Sequence, residues 1–227
     1  MYLLIIGAPR SGTTLLASMI GAHSDVAMLI EDRTFAIKKL TGKKVLSNKL
    51  CIPHQIEIKK KASLFSRYMQ KIGFLKNYPT SKFSIEDYLQ LEDLKILSII
   101  RNGNDIIDSI MKRGKKTQQI ALKRWSRSIE MILYLSNNYP LHTAIISYED
   151  LVTQPEKMLK KISLFLDIKF QPQMLEGYKY NILYPNESGI DKTRAFRTKM
   201  ETENNIIAAH ANTLEMYRQL LQSKINL

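Results

Sequence analysis

Apolar, β-branched runs that alternate with segments of helical period predict an α/β fold: a central, mainly parallel sheet with helices on both sides. Three observations carry this. The glycine-containing loop Gly7-Ala8-Pro9-Arg10-Ser11-Gly12-Thr13-Thr14 stands between a strand-like and a helix-like run, the setting of a nucleotide phosphate loop (P-loop). Apolar runs recur at 26–30, 94–100 and 143–147, with a fifth candidate at 44–47. No repeat, low-complexity tract or Pro/Gly/Ser-rich linker interrupts the 227 residues, so a single domain over 1–227 is expected.

Taken in order, residues 2–6 read as a buried strand stopped at Gly7, and 14–20 as the first turns of a helix. Strands are expected at 26–30 and 44–47. Segment 50–93 has no clear period and reads as an insertion between strands. After the strand at 94–100 come helical segments at 106–111 and 120–135. In the second, Trp125 shares an apolar face with Ala121, Ile129 and Ile132, which predicts core packing. The strand at 143–147 precedes a helix at 155–166 that starts on Pro155, and a last helix is expected over 204–222.

Right-handed crossovers bring the carboxyl ends of parallel strands to one edge, where ligands bind. That edge would collect Arg10 after the first strand, Glu31 and Arg33 after the second, and Asn48 and Lys49 after the third. Arg101 and Tyr148 would join them after 94–100 and 143–147.

In the loop, Gly7 and Gly12 permit tight turns. The N–H groups running through Ser11, Gly12, Thr13 and Thr14 then face an anion, together with the positive end of the helix. Thr13 stands where a P-loop ATPase or GTPase has its lysine. Triphosphate hydrolysis is thereby disfavoured, whereas binding of an adenosine phosphate is not.

Lys and Arg outnumber Asp and Glu by 34 to 21, which favours anionic ligands or, equally, describes an ordinary lysine-rich solvated face. Aromatic–basic interleaving and a recognition-helix pattern are both missing, so nucleic acid is not an expected partner. Cys51 is the sole cysteine, which rules out an internal disulfide and reads as a packed or incidental thiol. No cluster with metal-ligand spacing occurs, so a metal-independent site is expected. Residues 2–6 are too short for a signal core or membrane span and no basic segment precedes them, so a soluble, cytoplasmic protein is expected.

Two separated motifs resemble the PAPS-dependent sulfotransferase family, enzymes that move a sulfuryl group from 3′-phosphoadenosine 5′-phosphosulfate (PAPS) to a hydroxyl. Residues 7–16 are similar to the family's 5′-phosphosulfate loop. The run Arg101-Asn102-Gly103-Asn104-Asp105-Ile106-Ile107-Asp108-Ser109 resembles the element in which an arginine and a serine hold the 3′-phosphate. A third match is Ser147-Tyr148-Glu149-Asp150-Leu151 followed by Pro155-Glu156, and together the matches extend over roughly residues 2–168.

Ala22-His23-Ser24-Asp25-Val26 and Glu31-Asp32-Arg33 look most like the tyrosylprotein, Golgi-type branch, here as a soluble, bacterial-type member. The resemblance makes Glu31 the base, places Arg33 in the acceptor site, and gives Lys49 of Asn48-Lys49 a role in the transition state. Asp32 replaces the branch's threonine, and Leu50-Cys51-Ile52 replaces its acidic or Pro-containing continuation. Peptide-tyrosine specificity is therefore not transferred. The acceptor is expected to be a hydroxyl of a glycan, lipid-linked sugar or small metabolite, with segment 50–93 shaping its pocket.

The transfer should resemble loose, in-line phosphoryl transfer, in which fixed donors meet charge on the bridging oxygen. Arg10, Lys49 and the loop N–H groups are the candidate donors. Glu31 acts as base if partial burial raises its pKa, or else is an ordinary carboxylate paired with Arg33. His54 is the rival base near the acceptor, since cytosolic members of the family use histidine. His23, His142 and His210 read as bystanders.

Lys49 is otherwise one surface lysine among many, Arg101 otherwise pairs with Asp105, and Ser109 otherwise faces solvent. Tyr148 lies against the adenine or closes the core after its strand. Lys192, Arg194 and Arg197 form a basic loop that ranks low for the 3′-phosphate, and Lys59-Lys60-Lys61 marks either a solvated helix face or an acceptor entrance. The competing functions are a degenerate P-loop adenosine-phosphate kinase or NTPase and a polyanion-binding module.

Overall fold

The computed structural model describes residues 1–58, 83–180 and 210–224. Among these residues five strands form one sheet: β1 (Tyr2–Gly7), β2 (Val26–Ile30), β3 (Val45–Cys51), β4 (Leu94–Ile100) and β5 (Thr143–Ser147). Every pairing is parallel, and the order is β2-β3-β1-β4-β5. Three of the expected strands have the bounds read from sequence. Such runs are legible because a parallel sheet covered on both faces needs nearly continuous apolar strands.

The pleat of β1 supplies two cores. Leu4 and Ile6 enter one with Trp125, Ile129, Tyr217 and Leu220, whereas Leu3 and Ile5 enter the other with Leu16, Met19, Leu151 and Leu159. The first is covered by α3 (Gly103–Gly114), α4 (Gln118–Asn138) and α7 (Ala211–Gln222); the second by α1 (Thr13–Gly21), α5 (Tyr148–Thr153) and α6 (Pro155–Phe165). Trp125 is fully buried, with Tyr217 of α7 at a ring distance of 5.8 Å.

The chain leaves β1 towards β2 and leaves β4 towards β5. The crevice at the carboxyl ends of β1 and β4 is therefore the topological switch point, and the loops after Gly7 and Ile100 meet there.

Two expectations change. The third strand runs through Cys51, so Asn48 and Lys49 lie inside β3 and not after it. A lysine is tolerated there because its ammonium is paired, as described below. Nor is segment 50–93 an insertion throughout. Leu50 and Cys51 end β3, while Ile52, Ile56, Ile85 and Tyr88 are core residues, the last two on α2 (Ile85–Leu89). The start of α2 is capped by Asp87, which accepts the Ser84 N–H at 2.6 Å. Lys59, Lys60 and Lys61, the basic loop of Lys192, Arg194 and Arg197, and the first residues of the expected last helix lie outside the described residues.

Candidate active site

The loop between β1 and α1 is shaped by close approach. A Cβ on Gly7 would come within 2.6 Å of the Ile99 carbonyl oxygen, and one on Gly12 within 2.5 Å of Tyr148 Cδ2. Gly12 has φ +97°, a conformation that favours glycine, and Arg10 also adopts the left-handed region at φ 70°. The resulting turn, closed by the Ser11 N–H on the Ala8 carbonyl at 3.1 Å, leads directly into α1 at Thr13. Ser11 is completely buried, and its Oγ has no partner among the described residues.

The β4 side supplies cations. Arg101 directly follows β4, has 7% of its surface exposed and donates from Nη1 to the Arg10 carbonyl at 3.1 Å. Its guanidinium lies 4.1 Å over the Tyr148 ring, so Tyr148 braces both Arg101 and Gly12 from below. The pairing with Asp105 is present through Nη2 at 3.4 Å, while Nε is buried without a partner among the described residues. Arg10 reaches across to α3 and donates from Nε to Ser109 Oγ at 3.1 Å. Ser109 thus faces the crevice and not open solvent. Arg101, Ser109, Arg10 and the loop form one cationic cradle in which Ser11 Oγ and Arg101 Nε are buried without partners among the described residues.

Next to it, β2 and β3 build a different arrangement. Glu31 leaves β2 at φ 60°, its N–H held by the Lys49 carbonyl at 2.8 Å. Lys49 Nζ lies 2.5 Å from Glu31 Oε1, and Gln55 Nε2 lies 2.5 Å from Oε2. The partner of Glu31 is therefore Lys49, with Gln55, and not Arg33, the pairing that its reading as an ordinary carboxylate offered. The rise in pKa on which its role as base was conditioned does not occur: burial pushes the carboxyl up, but hydrogen bonding and charge from Lys49, the Gln55 hydrogen bond and His54 outweigh it and hold it below the usual value.

Asn48 steadies the loop after β2 by donating to the Asp32 carbonyl at 2.8 Å and to Tyr88 Oη at 2.8 Å. His54 is accessible to solvent, and its pKa is lowered by desolvation, then Arg124, with smaller contributions from Lys49 and Arg33 against the opposing pull of Glu31. The His54 imidazole stands near the carboxylate, with Arg33 and Arg124 around it. Thr13 Oγ1 and Cys51 Sγ, 3.7 Å apart, join the two halves, and burial pushes the Cys51 thiol up.

Two participants were given no role by the sequence. Gln55 lies in a segment without period, and nothing in its spacing from Glu31 announces the contact. Glu149 was legible only as part of a resemblance; it accepts the Asn102 N–H at 3.1 Å beside Arg101, and burial pushes its carboxyl up.

The all-parallel sheet order and the glycine loop at the switch point define an α/β protein of P-loop-like fold. A family model described as Sulfotransferase domain matches residues 2–226, and the chain belongs to the sulfotransferase family, a class of transferases. The chain is 26% identical over 208 residues to the protein-tyrosine sulfotransferase of Drosophila melanogaster, covering 82% of this chain and 42% of that protein. It is 24% identical over 190 residues to protein-tyrosine sulfotransferase 1 of Danio rerio, covering 74% and 54%. The chain thus spans about half the length of these curated relatives.

Among solved structures, it resembles the sulfotransferase domain of the Synechococcus PCC 7002 olefin synthase, with a TM-score of 0.64, 16% identity and coverage of 97% and 94%. It also resembles the sulfotransferase domain of the curacin biosynthetic pathway, at 0.61, 17%, 99% and 98%. A mouse sulfotransferase complexed with PAP matches at 0.51 and 16%, with coverage of 97% and 83%. At these identities the structural likeness speaks for the fold. No helix among the described residues is long and apolar enough to cross a membrane.

Proposed function

We propose that this protein transfers a sulfuryl group from PAPS to an acceptor hydroxyl, with the 5′-phosphosulfate in the β1–α1 loop and the 3′-phosphate beside Arg101 and Ser109. The observation that carries this reading is that two of the six buried side-chain polar atoms without a partner among the described residues, Ser11 Oγ and Arg101 Nε, lie at a loop whose N–H groups lead into a helix N-terminus. Such atoms are costly unless a ligand meets them, and a nucleotide with anionic groups at both positions does so.

PAPS supplies the transferable sulfuryl group, and adenosine 3′,5′-bisphosphate (PAP) is the leaving product. Arg101 anchors one end of the nucleotide, with Arg10 linking that end to the loop through Ser109. Tyr148 keeps Arg101 in place and leaves room for the loop only because position 12 is glycine. The Lys49 ammonium, 1% exposed, is the preset donor for charge that builds on the bridging oxygen. Glu31 is ionised at neutral pH and takes the acceptor's proton as bonding begins. Its low basicity suffices because bonding to sulfur makes the hydroxyl acidic as the proton moves.

The acceptor is a hydroxyl of a glycan, lipid-linked sugar or small metabolite. A phenolic acceptor is the second reading, because curated relatives are named protein-tyrosine sulfotransferases. Calorimetric titration with PAP, without metal and against ADP and Mg-ATP, tests the nucleotide assignment. Tight binding of PAP alone supports it, whereas preference for Mg-ATP returns the protein to the kinase or NTPase reading. Radiolabelled transfer from PAPS to sugars, small alcohols and tyrosine peptides then separates the two acceptor classes.

A further inference from the structure

The carboxylate of Glu31 is gripped at both oxygens, by Lys49 on Oε1 and by Gln55 on Oε2, each at 2.5 Å. The Gln55 amide cannot turn over. Its Oε1 accepts the Cys51 N–H at 2.7 Å, the residue is 7% exposed, and a flipped amide would set NH₂ against that N–H. The end of β3 therefore dictates which group Gln55 offers to Glu31. Lys49 alone would leave the carboxylate free to swing about its last bond. With a second, oriented donor its plane is set, and each oxygen retains a lone pair for a proton.

We propose that Gln55 is a positioning residue, a clamp on Glu31 Oε2 that holds the carboxylate in one orientation and in its ionised form as the acceptor hydroxyl arrives. This rests on the reading of Glu31 as the proton acceptor. The backbone supports the same assignment: Glu31 occupies φ 60° and its N–H is tied to β3, so neither the main chain nor the carboxylate is left to search for its place. The direction of the Glu31 pKa agrees, since Gln55 is among the groups that lower it. The other charged or titratable groups around this carboxylate are Lys49 and Cys51 on β3 and His54 beyond it. Arg33 after β2 and Arg124 on α4 stand around His54.

Two substitutions test the clamp. Gln55→Met removes the donor at similar length, whereas Gln55→Glu keeps an acceptor for the Cys51 N–H but sets a second carboxyl against Glu31. In the pH profile of kcat/KM, the acid limb should move up by about half to one pH unit in Gln55→Met and further in Gln55→Glu. A limb too low to see in the parent protein should come into view in Gln55→Glu. The kcat should fall about tenfold, with the KM for PAPS and the affinity for PAP within about twofold.

Acid limbs that stay in place in both variants overturn the clamp and make Gln55 a packing residue, whatever happens to kcat. If Gln55→Met does not fold, as judged by loss of PAP binding, the limb of Gln55→Glu decides alone. Glu31→Gln run in parallel keeps the two claims apart. Retained turnover in that variant rejects Glu31 as base and the clamp with it, whereas lost turnover beside unshifted limbs rejects only the clamp.

Discussion

Lys49 Nζ meets Glu31 Oε1 at 2.5 Å from the opposite side of the solvent boundary: the lysine side chain is 1% exposed and the glutamate 34%. Lys49 is thus a strand residue whose charge is tolerated by one carboxylate, and Glu31 is a carboxylate whose ionised form is held by one ammonium. Glu31→Gln should leave PAP affinity within about twofold and lower turnover by about a hundredfold or more. It should also cost about 1–3 kcal/mol, less than a fully buried pair would, because solvent reaches the glutamate. Calorimetry, transfer assays and urea unfolding measure the three effects; unchanged turnover would remove Glu31 from the chemistry.

Glu31 and Glu149, shifted in opposite senses, give opposite pH dependences. Glu31 is held below its ordinary value of 4.5, so its pairing stabilises the fold above that value, and the contribution is lost as pH falls through the folded pKa. Glu149 is held above 4.5, so its burial favours stability below that value, and the contribution is lost as pH rises through the raised pKa. Glu149→Gln, which keeps an acceptor for the Asn102 N–H, should therefore be more stable than the parent near neutral pH, with little difference at about pH 4. Glu31→Gln should show its loss near neutral pH and a narrowing gap on acidification. Urea midpoints at the two pH values compare the signs.

Arg101→Ala should remove the preference for PAP over ADP. The loss of a buried guanidinium facing an anion corresponds to about ten- to a hundredfold in PAP affinity. ADP affinity should change far less. An equal loss for both nucleotides would point to collapse of the Tyr148 brace and away from a 3′-phosphate contact.

Gly12→Ala combines an unfavourable φ of +97° with a Cβ placed 2.5 Å from Tyr148 Cδ2. The strain should cost about 1–3 kcal/mol in stability and weaken PAP binding, because the loop can relieve the clash only by moving its N–H groups. Adding Tyr148→Ala removes the clash and not the φ strain, so stability should recover in part. Denaturation of the single and double variants resolves the two contributions.

Local sequence carried much of this molecule. The glycine spacing marked the loop because only glycine tolerates the approach of Ile99 and Tyr148, and the apolar runs at 26–30, 94–100 and 143–147 marked strands covered on both faces. Arg10, Arg101, Ser109 and Tyr148 were legible as one constellation because each follows a strand or sits two turns into the helix after it. The third strand was legible only in part: Asn48 and Lys49 read as polar residues beyond its end, since sequence alone gives no reason to bury a lysine.

What the sequence determined was the order of strands and helices, the glycine loop between β1 and α1 and the chemical types gathered at one sheet edge, all set by local spacing and periodicity. The tertiary structure decided which charges pair. Placing β3 beside β2 sets Lys49 on Glu31 instead of Arg33, the turn after β3 brings Gln55 to the second oxygen, and these contacts reverse the pKa shift that burial alone would cause. Pair energies depend on distance and dielectric across chain separations that no local pattern encodes.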